Sequence, residues 1–339
     1  MRRMTTPSGS GEGEARAGRI ERRILAIDGG GLRGIVAACL LADLERQLLR
    51  PAREVFDFIA GTSSGALTAG GLIAGVPAAR LVELYERRAS EIFPRVPLLT
   101  TLRRVLTGVA YDVNRLYAVV SDELGDARGW RLNDAPVDVL ITAKRLVDGV
   151  PWYFVRDRPT NSRLFGTTLL ADAVTASAAA PTYFAPWPIA GVGDLIDGGI
   201  GVTGNPVYQA CVEAFDYTDA YEPSRTLVVS LGTGQHPRLG RPRWIWPWLE
   251  WLLTELLRSP AEQQTQLVDR HWPEVEFYRI DLELEHPVAL DDVGRLGELR
   301  RIGERFAAEV DWPAIIDAAT DAFRVTPRTR QPEQYRRSA

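Results

Sequence analysis

Residues 24–34, ILAIDGGGLRG, join a short apolar run to a helical pattern through three consecutive glycines. Gly29, Gly31 and Gly34 match G-x-G-x-x-G, the strand-to-helix turn at which dinucleotide-binding folds present backbone N–H groups to a pyrophosphate. The stretch therefore predicts a strand–turn–helix unit whose turn is built to face an anion.

The rest of the chain repeats this alternation of strand-type runs and helical patterns, which predicts an α/β fold with a mainly parallel sheet. The predicted strands are Ile24–Ile27, Phe56–Ala60, Val137–Ala143, Trp152–Val155, Leu195–Ile196, Thr226–Ser230 and Glu276–Leu282. The predicted helices are Ile35–Leu49, Ser64–Ala74, Ala78–Ser90, Leu169–Ala178, Pro206–Phe215, Trp248–Leu257 and Arg295–Glu309.

No Pro/Gly-rich linker divides these elements, so we expect a single domain over residues 21–325, with its motifs between residues 24 and 235. The polar, Gly/Ser-rich residues 1–20 predict a disordered leader, and residues 326–339 predict a flexible tail.

The composition argues against several classes of protein. The net charge of −4 lacks the basic excess of a dedicated nucleic-acid binder, so no nucleic-acid partner is expected. The two cysteines, Cys39 and Cys211, are too few for a disulfide framework or a zinc site and indicate a cytoplasmic protein. No uninterrupted apolar run reaches the about 18 residues of a membrane span.

A second strand-to-helix turn lies within residues 56–66, FDFIAGTSSGA, which contain the pattern G-x-S-x-G. This pattern, preceded by a strand and followed by a helix, is typical of a nucleophile elbow, so Ser63 is the predicted nucleophile. Gly61 and Gly65 leave room for the turn to close, and the helix dipole would stabilise negative charge at the serine. Ser64 is a rival, although it falls where the helix would begin. An ordinary Ser/Gly-rich loop is the alternative interpretation.

A serine nucleophile needs a base, and the favoured candidate lies in LIDGGIGVTGNP, residues 195–206. An apolar pair leads into Asp197, and Gly198 and Gly199 follow it, so the carboxylate could approach another backbone closely and take the serine proton directly. Asp-Gly is also a common turn dipeptide, which is the competing interpretation. Asp194 precedes the apolar pair and is expected to be exposed.

The histidines offer a second route to a base. His236, His271 and His286 all lie late in the chain, and each is expected to be a surface or loop residue. The order Ser–Asp–His of the α/β-hydrolases nevertheless stays open on the sequence alone.

Together, three motifs resemble those of the patatin-like phospholipase family: residues 28–34, residues 61–65 and residues 197–199, in that order. Further stretches similar to the family are TASAAAPTYFAP at 175–186, Asn205-Pro206, LVVSLGTG at 227–234 and, more weakly, residues 290–306. Because several motifs occur in the family's order, the resemblance is far more specific than any one of them.

The resemblance implies a three-layer α/β/α sandwich that hydrolyses acyl esters of lipids through an acyl-serine intermediate. It implies Ser63 as the nucleophile and Asp197 as its base, with no metal and no cofactor. The implied oxyanion hole is formed by backbone N–H groups of the glycine loop with a basic residue beside them: Gly29, Gly30, Gly31, Arg33 and Gly34. The glycines that support the other two motifs are Gly61, Gly65, Gly198 and Gly199.

A tryptophan-rich segment, residues 242–258, combines an amphipathic helical pattern with arginines near its ends. Such a segment suits a membrane interface, so we expect it to cap the acyl-chain groove or to touch the bilayer as a peripheral contact. The alternative is that it packs as a core or lid helix. Residues 103–117 are expected to belong to a variable cap.

Two other functions compete with lipid hydrolysis as interpretations of the sequence. A nucleotide-binding role is disfavoured because Asp28 would repel a pyrophosphate, and no acidic residue stands about 20 positions further on. The other is a regulated effector, since bacterial members of the family include phospholipases switched on by a cyclic nucleotide in phage defence. The sequence identifies neither a second-messenger site nor an oligomeric state.

Overall fold

The computed structural model describes residues 2–3, 20–94, 97–159, 165–235, 248 and 261–317. The strands are β1 (Arg2–Arg3), β2 (Arg22–Ile27), β3 (Phe58–Thr62), β4 (Asp138–Arg145), β5 (Pro151–Val155), β6 (Trp187–Ile189), β7 (Gly193–Asp197), β8 (Thr226–Leu231) and β9 (Glu276–Ile280). The helices are α1 (Gly34–Leu48), α2 (Ala52–Val55), α3 (Ser64–Ala74), α4 (Ala78–Ile92), α5 (Pro97–Thr107), α6 (Val113–Leu124), α7 (Leu170–Ala178), α8 (Val207–Asp216), α9 (residues 261–271), α10 (Leu296–Ala307) and α11 (Trp312–Asp317). Short 3₁₀ turns cover Gly31–Arg33, Gly125–Gly129, Leu132–Asp134, Pro223–Arg225 and Val293–Arg295.

The strands form one sheet in the order β1-β9-β8-β2-β3-β4-β7-β6, with β5 paired to β4. Strands β9, β8, β2, β3 and β4 run parallel, whereas β1, β5, β6 and β7 pair antiparallel. This confirms the predicted α/β fold with a mainly parallel sheet. After β2 the chain forms β3 on one side of β2, and it later forms β8 on the other side of β2. Such a switch point opens a crevice at the carboxyl ends of the strands.

One edge of β4 is shared by two strands placed end to end. Strand β3 pairs with β4 up to Thr62, opposite Thr142. The antiparallel strand β7 ends at the next position, where Asp197 lies opposite Ala143. Because Ala143 also pairs with Trp152 on β5, β7 must lie on the opposite edge from β5, the edge that β3 occupies. The carboxyl end of β7 therefore meets the carboxyl end of β3.

Helices cover both faces of the sheet, as the alternating side chains of β2 require. Leu25 and Ile27 belong to the apolar core beneath α1, α3, α4, α6, α7 and α10. Ile24 and Ala26 belong to a second core under α8 and α9. All four are fully buried, and full burial of a Leu or Ile side chain contributes roughly 1.5–3 kcal/mol. The expected three-layer α/β/α sandwich is thus observed.

Most predicted elements occur near their predicted bounds, and α3 occurs at them. Strand β3 is displaced relative to the predicted Phe56–Ala60, because Gly61 and Thr62 continue the ladder with β4. Elements that the sequence patterns did not predict are β1, β6, α2, α5, α6, α9 and α11.

Several sequence predictions fall outside the described residues. They concern the tail, the leader apart from residues 2–3 and 20, and the tryptophan-rich segment apart from Trp248. Among the described residues, no helix combines the length and the apolar character that crossing a bilayer would require.

Candidate active site

The turn between β3 and α3 holds Ser63 in a rare backbone conformation, with φ of 54° and ψ of −122°. A non-glycine residue with positive φ is strained, and such strain persists only where the surroundings enforce it. Here α3 packs against the strand ends at backbone distance: a Cβ on Gly65 would collide with the Ile27 carbonyl oxygen, and a Cβ on Gly61 with the Gly65 carbonyl. The two glycines of the pattern are therefore required by space.

The structure brings Asp197 to Ser63. Ser63 Oγ donates a 2.6 Å hydrogen bond to Asp197 Oδ2, and the other carboxylate oxygen accepts from the backbone N–H of Gly199 at 2.7 Å. The Asp197 backbone N–H donates to the Ala179 carbonyl, which ties the end of β7 to the end of α7. The carboxylate is thus held on both sides, with its serine partner fixed by a strained turn.

Burial sets the protonation of Asp197. The residue is 5% exposed, and burial raises its pKa to about 6, although the hydrogen bonds from Ser63 and Gly199 oppose the shift. A carboxyl with such a pKa is ionised near neutral pH yet is a stronger base than an ordinary aspartate. Burial is the dominant cause because no arginine or lysine contributes to the shift.

Two further hydroxyls hold the serine turn, and the sequence patterns assigned a role to neither. Ser177, at the end of α7, accepts a 2.9 Å hydrogen bond from the Ser63 backbone N–H. Thr62 Oγ1 donates to the Thr203 carbonyl at 2.6 Å and lies 2.7 Å from Thr142 Oγ1. Gly198 is needed beside them, since a Cβ there would collide with the Thr142 hydroxyl.

The glycine loop, residues 28–34, lies against the serine turn, and a Cβ on Gly29 would be 3.1 Å from Ser63 Cβ. Its donors are not all free, which corrects the expected oxyanion hole. The Gly29 N–H donates to the Gly204 carbonyl at 2.9 Å, and the Gly34 N–H donates to carbonyls within the loop itself. Among the described residues, the N–H groups of Gly30 and Gly31 have no hydrogen-bond acceptor.

Arg33 is buried beside the glycine loop and supports it with hydrogen bonds to two backbone carbonyls. Its Nε donates to the Gly30 carbonyl at 3.2 Å, and its Nη1 donates to the Gly234 carbonyl at 2.7 Å. Burial lowers its pKa to about 10, so the guanidinium stays charged at neutral pH. Gly34 serves packing instead, because a Cβ there would collide with the Tyr85 hydroxyl.

A buried ion network that the sequence analysis missed anchors the start of the loop. Both carboxylate oxygens of Asp28 accept from Arg279, at 2.9 and 2.6 Å, and Arg279 also donates to Asp281 at 2.8 Å. Burial raises the pKa of Asp28 to about 6 against the attraction of Arg279. Burial alone would lower the pKa of Arg279, but the two carboxylates outweigh it and raise that pKa. The available signal in the sequence was Arg279 and Asp281, two opposite charges at alternate positions of the predicted strand Glu276–Leu282.

A cavity of about 340 Å³ opens in front of Ser63 and Asp197. Its polar end is lined by the glycine loop, Gly199, Thr233 and Arg279. From Ser63 it extends into an apolar arm between α3, α4, α6 and the end of α7, lined by Leu67, Leu84, Tyr85, Ile92, Phe93, Leu116 and Phe184. Ser63 and Asp197 thus stand where a polar and an apolar compartment meet.

The rival candidates lie elsewhere. Ser64 Oγ is buried without a hydrogen-bond partner among the described residues, so no base faces it there. His271 and His286 are exposed, and His271 Nδ1 is bonded to the Tyr208 hydroxyl; His236 lies outside the described residues. Asp194 is exposed, as expected.

Comparisons with known proteins show which family the chain resembles. The family model described as "Patatin-like phospholipase" matches residues 25–210. A cGAMP-activated phospholipase of Escherichia coli (strain TW11681) is 33% identical over 221 residues, which is 62% of this chain and 61% of that protein. The chain thus spans less than two thirds of that relative. A cGAMP-activated phospholipase of Vibrio cholerae serotype O1 is 28% identical over 329 residues, covering 85% of this chain and 90% of that protein.

Among solved structures, VipD from Legionella pneumophila aligns over 91% of this chain and 70% of its own. The two share 11% sequence identity with a TM-score of 0.45.

Proposed function

The chain belongs to the patatin-like phospholipase family, and on that ground we propose that it is a serine lipid acyl hydrolase. It cleaves the carboxylic esters of lipids, in the manner of a phospholipase A or a lysophospholipase. The observation that carries the proposal is the 2.6 Å hydrogen bond from Ser63 Oγ to Asp197 Oδ2 at the junction of a polar and an apolar compartment. Ser63 and Asp197 act as a two-residue dyad with no histidine.

In the acylation step, Asp197 accepts the Ser63 proton while Oγ attacks the ester carbonyl carbon. The oxyanion that forms is stabilised by the N–H groups of Gly30 and Gly31, which have no other acceptor among the described residues. Collapse of the tetrahedral intermediate breaks the ester bond, and the protonated Asp197 returns the proton to the departing alcohol. The acyl chain remains on Ser63.

In the deacylation step, Asp197 takes a proton from water, and the resulting hydroxide attacks the acyl-serine carbonyl. The same glycine N–H groups stabilise the second oxyanion. Collapse releases the fatty acid and returns the proton to Ser63. A base with a pKa of about 6 suits this double use, because it gains and loses the proton near neutral pH.

Exposed apolar side chains on three segments supply a surface for lipid in this proposal, and together we name them the mouth patch. It comprises Leu102, Val105 and Leu106 on α5, Leu146, Val147 and Val150 at the β4–β5 turn, and Ile200 and Val202 after β7. Ile200 both lines the cavity and is 40% exposed, so this member of the patch adjoins the site. Arg104 of α5 stacks on Tyr183, another lining residue. Apolar side chains with arginines suit the bilayer interface, where we place a peripheral contact.

A second candidate is the same chemistry under control of a cyclic dinucleotide. The observation that favours it is that the Escherichia coli and Vibrio cholerae relatives are both cGAMP-activated phospholipases. Fatty-acid release by the purified chain, measured with and without added cGAMP, separates a constitutive enzyme from a regulated one.

The dyad is tested with a fluorophosphonate probe and mixed phospholipid vesicles. We expect probe labelling and fatty-acid release in the wild type, and neither in Ser63→Ala. Asp197→Asn should release fatty acid at least about 10²-fold more slowly. Matched controls are the neighbouring residues of the same type: Ser64→Ala should still be labelled, and Asp194→Asn should keep full activity. Full activity in Ser63→Ala would end the proposal, and loss of activity in a single histidine-to-alanine variant would favour a triad.

A further inference from the structure

A second, smaller cavity lies behind the apolar arm of the active site. Its volume is about 30 Å³, and it lies between α3, α4, α6 and α7. Four residues line both cavities, so they stand between them: Leu67, Leu84, Tyr85 and Ile92. We call these four the partition.

We propose that the partition is the floor of an acyl-chain site and that Leu84 sets the length of the chain accepted at Ser63. The inference rests on the proposed hydrolase function and deepens it. The ligand of the arm is then the unbranched hydrocarbon tail of a lipid acyl group, and the smaller cavity is the continuation that the partition closes off.

The chemistry of the arm selects a hydrocarbon tail. Its walls between Ser63 and the partition are aliphatic and aromatic side chains such as Leu116, Phe93 and Phe184, which offer a ligand no ionic group. The Tyr85 hydroxyl is already engaged, because it donates to the Ser64 carbonyl at 3.1 Å and lies 3.3 Å from Thr68 Oγ1. A headgroup would be left without partners here, whereas a hydrocarbon chain loses nothing.

The smaller cavity is apolar as well, so a longer tail could enter it. Its distant wall consists mainly of Val119, Val120 and Leu124 on α6 with Val174 on α7. The charged residue that lines it, Glu123, is neutralised by Arg88, whose Nη1 lies 3.1 Å from Glu123 Oε1.

Of the four partition residues, Leu84 is the one whose side chain is best able to limit the length of a bound acyl chain. Tyr85 is fixed by its hydrogen bonds, and Ile92 is buried in the core. Leu67 lies on α3, one turn beyond the strained serine turn, so a change there would disturb Ser63. Leu84 is half-buried on α4, outside the serine turn, so its side chain can be shortened or enlarged without displacing Ser63.

The test measures kcat/KM for p-nitrophenyl esters from butyrate to palmitate. Leu84→Ala joins the two cavities, so we expect its optimum to move to longer chains, with a gain of about fourfold for each further methylene buried. Leu84→Trp fills the arm and should move the optimum to shorter chains. The value of each variant on every ester is divided by its own value on butyrate, so the chain-length profile, and not the overall rate, carries the test.

The matched control is Leu48→Ala, which shortens another half-buried leucine, on the last turn of α1 and away from both cavities; its chain-length profile should follow the wild type. If Leu84→Ala does not fold, Leu84→Val and Leu84→Trp carry the same test. A second check adds Val120→Leu to Leu84→Ala, which refills the smaller cavity and should cancel the gain on long chains.

The outcomes separate the two proposals. If the wild type hydrolyses no ester in a Ser63-dependent way, the hydrolase proposal fails. If the wild type is active and the Leu84 variants reproduce its chain-length profile, the hydrolase proposal stands and the partition proposal is overturned.

Discussion

Thr62 and Asp197 occupy successive positions along one edge of β4, although 134 residues separate Ser63, which follows Thr62, from Asp197. Strands β3 and β7 both end at that point, so the serine turn and the carboxylate meet through sheet register. A variant that keeps the register but removes the charge therefore isolates the role of the carboxylate.

Asp197→Asn should separate activity from stability. In the folded chain the pKa of Asp197 is raised from 3.8 to about 6 by burial, so folding favours its protonated form. That favourable contribution is complete below the unfolded-state pKa and is lost as pH rises towards 6. Asparagine does not titrate, so the variant should be more stable than wild type above pH 6, by up to about 3 kcal/mol, while losing activity. Thermal unfolding across this pH range measures it, and a stability difference that does not change with pH would contradict the assignment.

The wild-type pH profile follows from the same carboxyl. The base must be ionised to accept the serine proton, so kcat/KM should fall about tenfold per pH unit below pH 6. A water-soluble ester is the right substrate, because vesicle binding then cannot contribute to the profile. A rate that stays level through pH 6 would indicate that another group acts as the base.

Removing Arg279 should unfold the glycine loop or the whole domain. The change Arg279→Met leaves Asp28 and Asp281 buried without their cation, and breaking a buried pair in this way typically costs 3–5 kcal/mol. Arg301→Met is the control, since Arg301 is exposed on α10 and should shift stability by less than about 0.5 kcal/mol. Chemical denaturation of both variants measures the difference, and equal midpoints would show that the network is not important for stability.

Gly30→Ala tests the oxyanion loop. Gly30 has an extended backbone, so the obstacle is space: a Cβ would collide with Thr233 Oγ1, which itself donates to the Gly29 carbonyl at 2.9 Å. Displacing a donor of this kind costs about 10²–10³ in kcat. Gly297→Ala on α10 is the control, because nothing lies within 4 Å of a Cβ there. If Gly30→Ala folds and keeps wild-type kcat, the loop does not hold the oxyanion.

The mouth patch predicts a difference between vesicles and soluble substrate. The double variant Leu106→Ser/Val147→Ser should bind and hydrolyse vesicles less well while keeping its rate on a soluble ester. Leu49→Ser controls for surface hydrophobicity, since Leu49 is 87% exposed at the end of α1 that is remote from the glycine loop. Unchanged vesicle sedimentation of the double variant would show that the membrane contact lies on another surface.

The features of the site that could be predicted are those that neighbouring residues in the sequence specify. The serine turn could be predicted because a few adjacent residues specify it. A Cβ on Gly61 would collide with the Gly65 carbonyl, and a Cβ on Gly65 with the Ile27 carbonyl oxygen. The strand–turn–helix pattern already implies this close approach of the backbone. Asp197 could be found because small residues follow it. The donors of the glycine loop were overestimated, because the Gly204 carbonyl that occupies the Gly29 N–H approaches from a distant part of the chain.

The remaining features depend on contacts between distant residues, which periodicity does not record. Arg279 and Asp28 are 251 positions apart, and neither carries a local sign of its partner. Strand β6 was missed because it is short and contains Pro188, which is typical of an edge strand. Helix α6 lines a cavity whose existence only the packed structure reveals.

The long separation between the loop and its cation has a consequence for the order of biosynthesis. At about 5–20 residues per second, translation needs on the order of 10–50 s to progress from Asp28 to Arg279. Asp197 likewise emerges well after Ser63 has left the ribosome. A nascent chain therefore carries Ser63 for some time without its proposed base or a settled glycine loop, and the proposed hydrolase cannot act on nearby membranes until Asp197 and Arg279 have both emerged.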